Sequence, residues 1–414
     1  MASPSSSAAE GSGGGARTEG RLTPVFVLLT MTMGYVVYAA DRTVLSSMLV
    51  PMKSALALTN GEVGLLGSAQ YVGVLCVVFA AGHLSDRFGR RRILAVGLVV
   101  FTAFTWLVGF SSDFAQAFSF RLVSGLGEGV FWPVAMASVA DYFKGRKGMA
   151  LGIFYVGFDV GSVAGLSIGG VTYYLTGDWR PAFFVAPSLG LVAIAGVGAL
   201  KQSLSRAGLK SPAGIRLGRD VAGLVRRRNV AVLMAFALVA TWASVWQVVF
   251  LPYYFYTVMK FSVVSSALLA SVVSASGGLG KIALGWASDS WPRNRLLVSI
   301  SLAVLLAYVV FFASSSFPVD LLSAIAMGFF SSSVFPIMQA LMTDSCEGRS
   351  GTALGLTTTT QSVATVLAPV ITASIFALGV GRAVALNAMI PAGLAIVLAL
   401  LLREPRRGHG RFAA

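Results

Sequence analysis

The sequence predicts an all-α membrane protein of twelve transmembrane helices in two pseudo-symmetric six-helix bundles. Composition is the first observation behind this: of 414 residues, 56% are hydrophobic and 11% charged, with a mean hydropathy of +0.80. A soluble domain carries about 25% charged residues, so lipid is the solvent for most of this chain. The second is that apolar residues fall in runs of spanning length from residue 23 to residue 402. The third is an internal repeat, in which the second half echoes the first at a constant offset of 203 residues. Duplicated bundles of this kind belong to proteins that rock about a midplane site.

Residues 1–22 form a Ser/Gly-rich tail, expected to be disordered and cytoplasmic because it holds no short apolar core with a cleavage site. Apolar runs at about 23–50, 60–82, 93–111, 114–142, 149–176 and 182–200 build an N-terminal bundle, residues 23–200. Runs at about 229–257, 263–285, 296–316, 319–343, 352–378 and 383–402 build a C-terminal bundle, residues 229–403. Several exceed the roughly 20 residues that cross a bilayer, which tilt accommodates. Between them, residues 201–228 carry eight Lys/Arg and read as a basic cytoplasmic linker lying on anionic headgroups. Residues 404–414 complete the chain as a cytoplasmic tail.

A net charge of +15 and a pI near 10.3 raise nucleic acid as a partner, but the placement of the charge excludes it. Of 31 Lys/Arg, Lys53, Arg180, Lys260 and Arg382 fall in outer loops, and Arg42, Arg121 and Lys281 within spans. The rest gather on one side, so the basicity records topology in a cell inner (plasma) membrane, with both termini cytoplasmic. Cys76 in a span and Cys346 in an inner loop imply no disulfide framework, and His83 and His409 no metal site. With no extended soluble domain and no nucleotide-binding motif, ATP-driven transport drops out. The chain reads as a transporter, expected as a monomer among membrane lipids, with no cofactor beyond protons as coupling ion. It does not read as an enzyme.

The repeat is legible residue by residue. Gly82, Ser85 and Asp86 recur as Gly285, Ser288 and Asp289, and Arg90 and Arg92 as Arg293 and Arg295. Pro133, Asp141, Gly145-Arg146 and Gly148 recur as Pro336, Asp344, Gly348-Arg349 and Gly351. The run Gly82-His-Leu-Ser-Asp86-Arg87-Phe-Gly89-Arg90 resembles the loop between the second and third helices of the major facilitator superfamily. That likeness, covering about residues 23–403, implies the twelve-helix fold and a conformational switch at Gly82, Asp86, Arg87, Gly89, Arg90, Gly285, Asp289 and Arg293. Asp86 is expected to cap a helix and pair with a basic residue, and the arginines to bind the inner leaflet.

Ionisable groups inside a bilayer are costly unless paired or hydrated, so each is a functional candidate. Six occur: Asp41 and Arg42 in the first run, Arg121 and Glu128 in the fourth, Asp159 in the fifth and Lys281 in the eighth. The repeat partners of the first five are Ser244, Val245, Ala324, Ser331 and Ser362, so building such a bundle does not require these charges. Arg121 and Glu128 lie two helical turns apart on one face, about 10 Å along the axis. Gly125 lies between them, opening space, and Trp132 extends the stripe. An arginine too far from its acid to pair offers a fixed fork to a carboxylate ligand; the other reading of Arg121 is snorkelling to the outer interface. Asp41 and Arg42 point to neighbouring sectors of one cleft, with a static Asp41–arginine pair between the first and fourth runs as the alternative. Asp159 reads either as a proton site in the cavity or as half of a structural pair. Lys281 is expected to snorkel or to join the Asp289 loop.

The run Asp41-Arg42-Thr-Val-Leu-Ser-Ser-Met-Leu-Val-Pro51-Met52 with Arg121-x6-Glu128-x4-Pro133 looks like the anion:cation symporter branch of that superfamily. The resemblance implies proton-coupled symport of a small organic anion, with Asp41 and Glu128 as proton-coupling acids and Arg42 and Arg121 as anion ligands. Spinster-type lysolipid and sphingolipid transporters share the Asp-Arg and Arg-x6-Glu pattern and are the rival reading. Organophosphate antiporters are similar at Arg42 and Gly285–Asp289 but expect an arginine within 229–257, where none stands. The expected site adds Asp159 as a proton-coupling group and Tyr38, Trp132, Gln247, Tyr253 and Gln361 as substrate-binding residues. Gly157, Gly161, Gly165 and Gly169-Gly170 form a smooth ridge for helix packing. A sensor built on a transporter fold is the remaining class.

Overall fold

The computed structural model describes residues 13–143, 147–200, 223, 225–346 and 350–403. Residues 1–12 of the expected tail 1–22, the expected tail 404–414 and nearly all of the linker lie outside the described residues, while residues 13–22 are helical. In chain order the helices are α1 (Gly13–Ala55), α2 (Asn60–Phe88), α3 (Arg90–Val108), α4 (Phe114–Tyr142), α5 (Lys147–Thr176) and α6 (Arg180–Ala199). After the linker come α7 (Arg228–Val249), α8 (Leu251–Thr257), α9 (Val263–Ser290), α10 (Arg293–Ala313), α11 (Phe317–Ser345), α12 (Ser350–Ser374) and α13 (Val380–Leu401). Every regular element among the described residues is helical, and eleven of these helices are long and apolar enough to span a membrane. The twelfth by position, α12, has 25 residues but carries the polar stretch Thr357–Gln361.

Local chemistry sets the boundaries. Thr59 caps α2 in a reciprocal box: its hydroxyl accepts from the Glu62 amide at 3.2 Å while the Glu62 carboxylate accepts from the Thr59 amide at 2.8 Å. Asp113 caps α4 and Ser262 caps α9. Gly89 joins α2 to α3 at φ 87°, a conformation that favours glycine. Two boundaries depart from expectation. α1 begins at Gly13, ahead of residue 23, and the span expected over 229–257 breaks at Phe250 into α7 and α8. Pro252, in the first turn of α8, has no N–H to continue the ladder.

Within the N-terminal half α1 packs on α5 and α6, α2 on α4, and α3 on α4 and α6; the C-terminal half repeats this with α9 on α11, α7 on α12 and α13, and α10 on α11 and α13. The halves meet where α2 faces α12 and α5 faces α9. Their contacts obey the repeat. The Ser46 hydroxyl donates to the Val249 carbonyl at 3.0 Å, and these residues are themselves 203 apart, which places them beside the pseudo-two-fold axis. Gly170 lies against Ala267, and the repeat-related pair Ala373 and Gly64 is in contact as well. All of these lie toward the end of the bundle opposite the linker, and that far end is closed. At the linker end, Arg90 pairs with Asp141 at 2.7 Å and the repeat-related Arg293 pairs with Asp344. Arg90 is 3% exposed, so it ties α3 to α4 and does not face a leaflet as expected. Arg87 is exposed beside Phe88, and the side chains of Asp86 and Asp289 lie outside the described set, as do the surroundings of Gly82.

Candidate functional site

The glycines build the site before any charge enters it. A Cβ on Gly161 would meet the Val36 carbonyl of α1 at 2.1 Å, and one on Gly165 the Ala40 carbonyl at 2.4 Å, so the α5 ridge seats α1 by backbone contact. Gly125 does not open space as expected. A Cβ there would lie 2.1 Å from the Gln70 carbonyl oxygen, and one on Gly73 2.1 Å from that of Leu122. The two glycines bring the α2 backbone onto α4 and set the Gln70 side chain between α1 and α4.

What gathers there is a closed network of two acids, two arginines and an amide. The Arg42 guanidinium donates through Nε and Nη2 to Glu128 Oε2 at 3.0 and 2.9 Å. Arg121 Nη1 donates to Asp41 Oδ1 at 2.7 Å and to the Asp41 carbonyl at 3.2 Å. The Gln70 amide nitrogen donates to Asp41 Oδ2 at 2.5 Å and to Glu128 Oε1 at 2.7 Å, while its oxygen accepts from Arg121 Nη2. Ser124 donates to Asp41 Oδ2 at 2.9 Å and contacts Thr105 of α3. The rings of Tyr38 and Tyr71 lie 4.2 and 4.5 Å from the Arg42 guanidinium. Asp41, Gln70, Arg121 and Glu128 are each at most 1% exposed. A narrow cleft adjoins the network, lined by Arg42, Ser46, Gln70, Tyr71, Arg121 and apolar neighbours.

Adjacent Asp41 and Arg42 thus reach residues two turns apart on α4, which is the geometry the two sectors of α1 demand. Arg121 is buried and paired, so it does not snorkel. Asp159 stands apart, with Lys281 of α9 donating to its two oxygens at 2.8 and 2.9 Å. Lys281 therefore neither snorkels nor joins the Asp289 loop; it carries an ion pair across the two halves. Its neighbour on α5, Tyr155, donates to Gln339 of α11 at 3.3 Å. The aromatic and amide residues of the C-terminal half are not gathered at the network. Gln247 donates to Tyr308 at 2.7 Å and accepts from Ser331. Tyr253 stacks on Phe376 and accepts from Lys53 at 3.1 Å, at the closed far end. Trp132 and Gln361 are half-buried on α4 and α12. Gln70 escaped the sequence reading because it is uncharged. Its repeat partner is Val273, so the same comparison that singled out the charges also marks this amide.

A bundle of paired spans with ion pairs sealed inside it is the frame of a polytopic membrane protein. The Major Facilitator Superfamily model matches residues 31–368 and again 296–414, and the chain belongs to that family. It is 31% identical over 155 residues to Protein spinster of Drosophila melanogaster, covering 37% of this chain and 26% of that one. It is 36% identical over 129 residues to the probable 4-methylmuconolactone transporter of Cupriavidus pinatubonensis, covering 31% of this chain and 30% of that one. These alignments span about a third or less of the relatives' lengths. A bacterial homolog of the human lysosomal transporter Spinster, in an inward-facing and unoccupied conformation, superimposes with a TM-score of 0.76 at 16% identity, covering 94% of this chain and 99% of that one.

Proposed function

We propose that the chain is a secondary active transporter that moves a small organic anion together with protons by alternating access. The observation that carries this reading is the charge count of the sealed network. Asp41 and Glu128 balance Arg42 and Arg121, each arginine resting on a titratable acid. A proton on either acid leaves one buried cation unmatched, and an unmatched charge inside a bilayer is costly. A carboxylate substrate restores the balance. Proton and anion therefore favour each other's binding, which is the thermodynamic requirement for symport. Arg42 and Arg121 supply the anion-binding forks, with Tyr38 against Arg42 and Trp132 one turn past Glu128 on α4 as the substrate-binding wall. Asp41 and Glu128 carry the coupling, and Asp159 exchanges Lys281 for a proton as a second site. The linker end is the cytoplasmic end of an inner membrane. The loop holding Asp86 acts on switching, so Asp86→Asn slows turnover while leaving substrate affinity intact; lost affinity with normal turnover contradicts it.

A second reading is supported by the likeness to spinster proteins, in which the arginines hold a lysolipid or sphingolipid headgroup. Thermal unfolding of purified protein against sugar acids, aromatic acids, dicarboxylates and lysolipids separates the two. A ligand at about 100 times its Kd stabilises by about 2.7 kcal/mol. Stabilisation by a water-soluble carboxylate, stronger at acid pH, is the expected result. Stabilisation by lysolipids alone transfers the function to the second reading.

A further inference from the structure

Both N–H donors of the Gln70 carboxamide are committed. A carboxamide has two N–H donors; here one goes to Asp41 and the other to Glu128, and the oxygen accepts from Arg121. Turning the amide over would point N–H groups at Arg121, which is itself only a donor. Its neighbours therefore hold it in one orientation.

Glu128 has no free oxygen either. Oε1 faces the Gln70 amide and Oε2 faces two nitrogens of Arg42. A proton on Glu128 cancels the charge that holds both donors, and the contact that yields is the one whose donor is free to move. Gln70 resists, because moving it breaks its bonds to Asp41 and Arg121 as well. Arg42 can move: its side chain is 10% exposed against 2% for Arg121. The Tyr38 and Tyr71 faces also offer it a resting place that needs no carboxylate. Arg121 keeps three acceptors, namely Asp41 Oδ1, the Asp41 carbonyl and Gln70. The charged and titratable groups facing Glu128 are Tyr38, Asp41 and Arg42 from α1, Tyr71 from α2 and Arg121 from α4 itself. On α5, Asp159 and Tyr155 are engaged by Lys281 and Gln339.

We propose that Gln70 is a positioning residue that directs the effect of the proton: protonation of Glu128 releases Arg42 from its carboxylate while Arg121 stays on Asp41. The inference rests on the proton-coupled reading above and divides the labour of the two arginines. Arg42 becomes the mobile ligand for one carboxylate group, and Arg121 the fixed countercharge.

The test needs no substrate. Spin labels are placed on cysteines at Met149 and Trp286, exposed positions near the linker ends of α5 and α9, with Cys76 and Cys346 replaced. Distance distributions are recorded for the full chain in phospholipid nanodiscs at about pH 9.5 and about pH 5, which bracket the titration of a buried carboxyl. The wild type should change its distribution with pH, and Glu128→Gln should show the acid distribution at both. Gln70→Met removes the amide, and Gln70→Asn keeps it but is one methylene too short to bridge both acids. Both should lose the pH-driven change while unfolding cooperatively on heating. Gln70 variants that respond like the wild type, with Glu128→Gln held in the acid state, overturn the role of Gln70 and spare the proton reading. A wild type that ignores pH overturns both.

Discussion

Arg42 and Arg121 are the same side chain in two different settings, and substitution should separate them. Lysine keeps the charge but not the fork. Arg42→Lys should weaken anion binding by about tenfold or more, which is about 1.4 kcal/mol, with little change in thermal stability. Arg121→Lys should weaken binding as well, but should also lower the unfolding temperature, since three buried acceptors lose their donors. Isothermal binding and thermal unfolding on both variants check this, and wild-type affinity in both removes the arginines from the binding site. Across the halves, Asp159→Asn leaves the half-buried Lys281 without its carboxylate and should lower the unfolding temperature, with Asp159→Asn/Lys281→Gln recovering much of the loss. An equal loss in the double variant contradicts a direct pair. At this scale the sequence made the charges conspicuous, because lipid penalises each of them and the repeat shows none is needed for folding. It did not reveal who pairs with whom. Pairing depends on how far α1 sinks between α4 and α5, which backbone contacts at glycines determine.

Those glycines act at the scale of helices. The ridge Gly157–Gly169 was readable from its four-residue spacing, and α5 indeed lies on α1 along it. The partner of Gly125 was not readable, because a lone glycine names no neighbour. A methyl group at Gly125 would meet main chain, which cannot turn aside as a side chain can. Gly125→Ala should therefore push α2 from α4, destabilise the fold by at least about 1–3 kcal/mol and displace Gln70 from the acids. Thermal unfolding measures the first effect. Loss of the pH response in the spin-label experiment measures the second. An alanine variant with wild-type stability shows that the α2–α4 seam is looser than described. The break between α7 and α8 went unpredicted for a similar reason. Pro252 marks a disturbed ladder, but hydropathy runs on through it.

Across the whole molecule, the constant offset foretold the two-bundle architecture, and the contacts Gly170–Ala267 and Gly64–Ala373 at the closed far end are related by that offset. It could not foretell which end would be closed, since the same sequence must form both states. Cysteines at Gly170 and Ala267, whose β-carbons would stand 3.1 Å apart, should form a disulfide after a shift of a few tenths of an ångström. The crosslink should stop transport until reductant is added, and undiminished transport in the oxidised protein excludes opening at that seam. The central claim is that Glu128 binds the coupling proton. The direct measurement is uptake of the anion identified by thermal unfolding into liposomes under an imposed pH gradient, comparing wild type with Glu128→Gln. The amide keeps the shape of the side chain but releases no proton, so exchange of labelled for unlabelled anion should continue while accumulation against a gradient is abolished. Asp41→Asn should behave alike if the two acids share the proton. Concentrative uptake by Glu128→Gln at the wild-type rate would contradict the account.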